Sequence, residues 1–257
     1  MSFFGVSLLT WWYVTVCMAL ATYVQALTGF AFSLLFIGLI GTFDLVPLDE
    51  ATNAISVITL VQTAAYFRAH PLGREWHPVR PAILPSIVGV MGGAALLIWL
   101  SGQALYVLKY VLGGFILLTA LSMVVQPVPW RQMSPPWVFR VTGLLSGLMG
   151  GLFSTAGPPL VYLFYRQPLP QRVIHQCLFL VFSIGQVVRL AFIAATGSFT
   201  WRSLLYIALS FPVVLLVHRI QQRYPLGLSP RTTTRVAAAL LVLAGTGLVY
   251  SNYLARS

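Results

Sequence analysis

Acidic side chains are nearly missing from this chain. Asp and Glu together number four in 257 residues, and charged residues of either sign make up only 7%. Soluble domains carry about 25% charged residues, so this scarcity excludes a water-solvated globular body, and no stretch between the apolar runs is long enough to form one. Cysteine is also scarce. Cys17 and Cys177 both lie in apolar runs, without disulfide or metal-site spacing, and read as small buried hydrophobes. Of the four histidines, His70 and His77 flank Glu75 in a proline-containing loop, while His175 and His218 fall near the ends of apolar runs. No Ser/His/Asp or Cys/His set and no GxxxxGK[ST] phosphate loop is present. The chain therefore reads as a protein that is not an enzyme and carries no cofactor or metal.

What is abundant is apolar surface. Hydrophobic residues make up 58% of the chain and the mean hydropathy is +0.87. This composition specifies an all-α polytopic membrane protein, with residues 1–257 forming a single membrane domain. Arginine supplies 14 of the 15 basic residues, and the formal charge is +11. The arginines cluster in short loops between apolar runs, so the positive-inside rule accounts for them and nucleic acid is not an expected partner. The N-terminus is apolar without a charged leading region and reads as mature membrane sequence rather than a cleaved signal.

The apolar runs cover about 5–43, 51–67, 82–100, 103–125, 138–165, 173–196, 200–217 and 236–254. Eight simple crossings would place arginine-rich loops on both faces, against the charge rule. The conflict disappears if run 138–165 is a hairpin that enters and leaves on one side. Arg68, Arg74, Arg80, Arg131, Arg140, Arg166, Arg172, Arg219, Arg223, Arg231 and Arg235 then share the cytoplasmic face. Run 5–43 is long enough for two passes, with a break at Gly29, and the acidic loop from Asp44 to Glu50 faces out.

An internal repeat fits the same plan. At an offset of about 124 residues, Pro47 matches Pro170, Gln62 matches Gln186, Gly73 matches Gly197 and Trp76 matches Trp201. Residues 44–50 face out while their counterparts 166–172 face in, so the repeats, approximately 5–126 and 137–255, are inverted. Each consists of a broken, re-entrant hairpin followed by three transmembrane helices. Matched interruptions of this kind mark the binding site of secondary transporters.

The second interruption lies in the stretch between Arg140 and Arg166, broken by Gly150, Gly151, Gly157, Pro158 and Pro159. A broken helix cannot face lipid, because its freed backbone groups would go unpaired. A helix N-terminus offers N–H groups and partial positive charge to an anion. Pro158 suits the first helical turn, and Ser154 or Thr155 suits a cap or a ligand contact. Gly150, Gly151 and Gly157 admit close approach of a small ligand; the alternative is tight helix packing through small residues. By inverted symmetry Gln25, Thr28, Gly29 and Ser33 form the opposing wall. Further polar positions inside spans are Asn53, Ser56, Thr59 and Thr63 on one helical face, and Gln176, Ser183 and Gln186 on another. Arg189 is the one arginine well inside a span. It either snorkels to the outer surface or contacts an anion near the centre.

The segment Val24–Gly41, VQALTGFAFSLLFIGLIG, resembles the first signature of the sulfite exporter TauE/SafE family, with Ala31 where glycine is common. The segment Gly143–Tyr165, GLLSGLMGGLFSTAGPPLVYLFY, resembles its second signature, a Gly-rich run ending in GPP. The tract from Pro170 to Gly197, with Arg189, also fits, and the resemblance extends over nearly the whole chain. It implies export of small, often sulfur-containing, organic or inorganic anions across a bacterial inner membrane.

Every acid lies outside the spans or near an end, so no midplane carboxylate relay is evident. Interior-negative voltage favours anion exit by about 2.3 kcal/mol per charge per 100 mV. The expected function is thus a secondary carrier for a small anion, with membrane lipid as its surroundings and either a monomeric or an oligomeric state compatible with the sequence. An anion channel, a non-transporting scaffold or sensor, and a lipid-acting intramembrane enzyme are the alternatives.

Overall fold

The computed structural model describes the chain except residues 1, 4–5, 29–31, 44–45, 70, 72, 104, 125–128, 156, 199–200, 224–229 and 255–257. Apart from a two-residue antiparallel pairing of Ser2–Phe3 with Val6–Ser7, the regular secondary structure among the described residues is helical. The α-helices are α1 (Leu8–Thr28), α2 (Phe32–Thr42), α3 (Leu48–Ala69), α4 (Arg80–Gln103), α5 (Leu105–Val124), α6 (Pro136–Phe153), α7 (Pro158–Tyr165), α8 (Gln171–Ala195), α9 (Trp201–Arg223) and α10 (Pro230–Leu254). Among the described residues, four segments are long and apolar enough to cross a membrane: Trp76–Ser101, Tyr106–Val124, Gln171–Ala195 and Arg235–Leu254. Large apolar side chains such as Leu84, Val88, Leu121 and Leu243 are exposed, as a lipid-facing surface requires. The chain is a multi-pass membrane protein.

Several helices outrun their apolar runs. α9 continues to Arg223 and α10 begins at Pro230, so Arg231 and Arg235 lie in a helix rather than in a loop. Hydropathy marks the stretch that tolerates lipid; the helix persists beyond it where backbone bonding still holds. The expected loop at His70–His77 likewise contains a 3-10 helix, Arg74–Val79.

The chain divides into two compact units. The first comprises Met1–Ala51, Ala104–Val124 and Thr200–Ser257. Within it α10 packs on α5 and α2, and α1 on α9. A Cβ added to Gly38 would lie 3.0 Å from the Ala244 Cβ, so small residues set the α2–α10 spacing. Thr42 Oγ1 donates to the Gly38 carbonyl at 2.7 Å, and Asn252 Nδ2 donates to the Tyr106 carbonyl at 3.0 Å.

The second unit comprises Thr52–Gln103 and Val125–Phe199. Its main contact is α4 against α6, built on glycines four residues apart. Gly143, Gly147 and Gly151 on α6 meet the backbone of Ala82, Ser86 and Val90 on α4, while Gly89 and Gly93 on α4 meet the backbone of Leu144 and Leu148 on α6. This is small-xxx-small packing, in which dispersion replaces the hydrophobic effect that lipid abolishes.

Candidate functional site

The site grows out of the interruption between α6 and α7. α6 ends at Phe153, and Ser154 takes the left-handed conformation (φ 51°, ψ 29°) while its N–H bonds the Gly150 carbonyl. The chain then doubles back. Gly157 packs against Ser146, whose hydroxyl donates to the Gly157 carbonyl at 3.2 Å, and Phe164 meets Phe139 edge-on at 5.5 Å. α7 therefore runs antiparallel to α6 from about its midpoint. At the base, the Trp130 N–H donates to the Arg166 carbonyl at 2.7 Å. Gln167, which is buried, accepts from the Ser134 N–H and donates to Ser134 Oγ and the Leu163 carbonyl. The Arg166 guanidinium lies over Trp130 and Tyr162, at 5.4 and 4.9 Å from the ring centres. The two ends of the broken segment thus meet.

The start of α7 differs from expectation. Gly157, not Ser154 or Thr155, is the N-cap, and no side chain caps this end. Pro158 and Pro159 carry no N–H, and the Leu160 and Val161 N–H groups bond the Gly157 carbonyl. The first turn therefore contributes a dipole but few of the donors that make a helix N-terminus an anion cradle.

The donors come from elsewhere. Arg189, six residues before the end of α8, is 0% exposed and points into the protein rather than snorkelling outward. Nε donates to the Gly151 carbonyl at 3.0 Å. Nη1 lies within 3.3 Å of the Thr52 carbonyl, 3.1 Å of Asn53 Oδ1 and 2.9 Å of Ser56 Oγ. Nη2 donates to Thr52 Oγ1 at 2.7 Å. Ser154 closes the cluster, donating to the Thr52 carbonyl at 2.8 Å and lying 2.9 Å from Ser56 Oγ. One buried guanidinium thereby joins α3, the end of α6 and α8.

Of the residues singled out from sequence, Asn53, Ser56, Gly151, Ser154 and Arg189 converge here. Gly150 supports the turn through its carbonyl, and buried Thr155 follows Ser154. Gly157 and Pro158 stand at the start of α7, and Gln186 lies one turn before Arg189 on α8, buried with its Oε1 lacking a hydrogen-bond partner. Gly151 has a double role, since its α-carbon face packs on α4 while its carbonyl accepts from Arg189. Gln25, with an unpartnered Oε1, and buried Ser33 belong to the first unit, as does Thr28 at the end of α1; Gly29 lies outside the described residues. Sequence reasoning missed Thr52, whose carbonyl and hydroxyl both serve Arg189, and Ser146. Nothing in their local sequence separates them from ordinary span-lining hydroxyls. The four-residue spacing of Gly143, Gly147 and Gly151 was a usable packing signal.

The left-handed turn yields a prediction. Ser154→Gly is expected to keep the turn and lose only the hydroxyl bonds. Ser154→Val adds a β-branched side chain where left-handed geometry costs about 1–2 kcal/mol per residue. In detergent melts the valine variant should unfold several degrees below the glycine variant; equal melting would contradict this reading.

The sulfite exporter TauE/SafE family model matches residues 14–248. A protein of Cupriavidus necator described as a probable sulfite/organosulfonate exporter, TauE, is 33% identical over 228 residues, covering 89% of each chain. No solved structure matches the chain. The polar hub sits on the second family signature, and the match runs through both units. The chain therefore belongs to the sulfite exporter TauE/SafE family, which are multi-pass membrane exporters and not enzymes.

Proposed function

We propose that the protein is a secondary carrier that exports a small sulfur-containing anion, sulfite or an organosulfonate, across a bacterial inner membrane. The observation that carries this reading is Arg189, a fully buried cation beside a broken helix pair. A charge inside a span is kept for function by default, given the cost of placing it there. The acceptors named above are neutral groups. Nη1 has two hydrogens for three acceptors, so at least one of these bonds is shared and easily exchanged for an anionic oxygen. The Ser56 and Ser154 hydroxyls, both donating to the Thr52 carbonyl, lie beside Arg189, and the dipole of α7 favours negative charge nearby.

The helix order supports reading the chain as two inverted repeats, which favours a transporter. The helix order long, short, long, long, long occurs twice, over α1–α5 and α6–α10. α3 and α8 run antiparallel, since Arg189 meets Asn53 while Phe179 stacks on Tyr66 at 4.3 Å. Interpolation sets about residue 60 of α3 level with about residue 184 of α8. That matches the repeat offset, as an axis between inverted halves requires. The relative's name supports the substrate class.

The test is efflux from proteoliposomes under an imposed interior-negative potential, comparing sulfite, sulfonates, thiosulfate and small carboxylates. Saturable flux of a sulfur oxoanion that rises with voltage at zero proton gradient is expected. Flux that requires a proton gradient at zero voltage would refute voltage-driven export. Flux without saturation or counterflow would favour a channel.

A further inference from the structure

Two side chains along the α3–α8 seam each hold a buried oxygen with no hydrogen-bond partner. Gln186 is 4% exposed and its Oε1 lacks a partner; Thr63 is 3% exposed and its Oγ1 lacks one as well. Both belong to the second unit. An unsatisfied buried polar group costs about 1–3 kcal/mol, so native proteins keep few of them and each calls for an explanation. Helical geometry places both on the seam. Gln186 is three residues before Arg189, hence on the same face of α8 and about 5–6 Å away at Cβ. Thr63 falls between Ser56 and Tyr66 on the face of α3 that those residues turn toward α8. The Oε1 atom of Gln62 on the edge of that face is also without a partner. The polar groups thus form a ladder. A cation and hydroxyls stand at one end, and acceptor oxygens follow one turn further on.

A carboxamide oxygen can only accept. A bare oxoanion, itself all acceptors, leaves it unsatisfied. We infer that the substrate carries a hydrogen-bond donor of its own, an O–H or N–H a few atoms from its charged end, which Gln186 Oε1 receives while the oxyanion lies toward Arg189. Thr63 Oγ1 either accepts from the same group or receives the next donor along. The substrate class is therefore a short hydroxy- or amino-substituted sulfonate in preference to an unsubstituted one. This inference rests on the anion-export reading and on Arg189 as the charged end of the site.

The deciding experiment compares 2-hydroxyethanesulfonate with ethanesulfonate, a pair that differs by one hydroxyl, as efflux substrates in proteoliposomes of the full chain. The half-saturation concentration is expected to be about 10-fold or more lower for the hydroxy compound, the worth of one hydrogen bond that would otherwise leave a buried acceptor unpaired. In Gln186→Met, which keeps length and removes the acceptor, the preference should shrink to within about 2-fold. Thr63→Val serves as the second variant and should narrow it. Equal half-saturation of the two sulfonates by the wild-type protein overturns the inference while leaving export intact. A preference that survives undiminished in Gln186→Met also overturns it. Transport of neither sulfonate removes both the inference and sulfonate export.

Discussion

Replacement of Arg189 by methionine is expected to abolish anion efflux and to lower the melting temperature. The guanidinium donates to Gly151, Thr52, Asn53 and Ser56 at 2.7–3.3 Å with no solvent exposure. Methionine fills a similar length but leaves those acceptors buried and unpaired, at about 1–3 kcal/mol for each that finds no substitute. Removing one member of a buried charged network typically costs about 3–5 kcal/mol in all. Arg189→Lys separates stability from charge. It keeps the positive charge, yet an ammonium cannot reach Gly151 on one side and Thr52 on the other with the geometry of a planar fork. The lysine variant should therefore melt between wild type and Arg189→Met and export at least about 10-fold more slowly than wild type. Detergent melts and voltage-driven efflux on the same preparations provide both readouts. A folded Arg189→Met protein that exports at the wild-type rate would remove Arg189 from the anion site and leave it a structural clamp.

The second large effect concerns the α4–α6 contact. A Cβ on Gly147 would lie 2.1 Å from the Ser86 carbonyl oxygen and 2.8 Å from the Ser86 Cα. Those neighbours are backbone atoms in a helix, so the only relief is separation of the two helices. Separation would also lift Gly143 and Gly151 from α4, and Gly89 and Gly93 from α6, because all share one interface. In lipid no hydrophobic term restores the pair once close packing is lost. Gly147→Val should abolish the monodisperse peak in fluorescence-detected gel filtration. Gly92 and Gly114 provide the control, since a Cβ at either meets nothing within 4 Å. Gly92→Ala and Gly114→Ala should change stability by less than about 1 kcal/mol, with the gain in helix propensity pulling toward stabilisation. A Gly147→Val protein that melts like wild type would show that α4 and α6 are not held by this stripe.

The contrast between Gly147 and Gly92 bears on how much was legible beforehand. Both are glycines in apolar runs, and composition does not tell them apart. The four-residue spacing of Gly143, Gly147 and Gly151 takes on meaning only once α4 arrives against it from some sixty residues earlier in the chain. The proline pair was legible in one respect only. Pro158 and Pro159 do open a helix, yet a proline-led turn forfeits the N–H donors that would have made it the anion cradle, so that role moves to side chains.

The sequence by itself determined the membrane class, the approximate helix positions and the site of the break. In lipid each segment must satisfy its own backbone, so apolar run length dictates helices, and Gly157-Pro158-Pro159 forbids continuing one. The family signatures were likewise visible in the linear chain. The tertiary structure alone decided where Arg189 points. A lone arginine about 9 Å from the end of its helix has the reach to snorkel, and only the arrival of Thr52, Asn53 and Ser56 on α3 and Gly151 on α6, up to 137 residues away in the chain, makes burial preferable. Acceptor positions in space, rather than residue types in order, settle the fate of a buried charge, because its desolvation is offset only by bonds of correct length and direction.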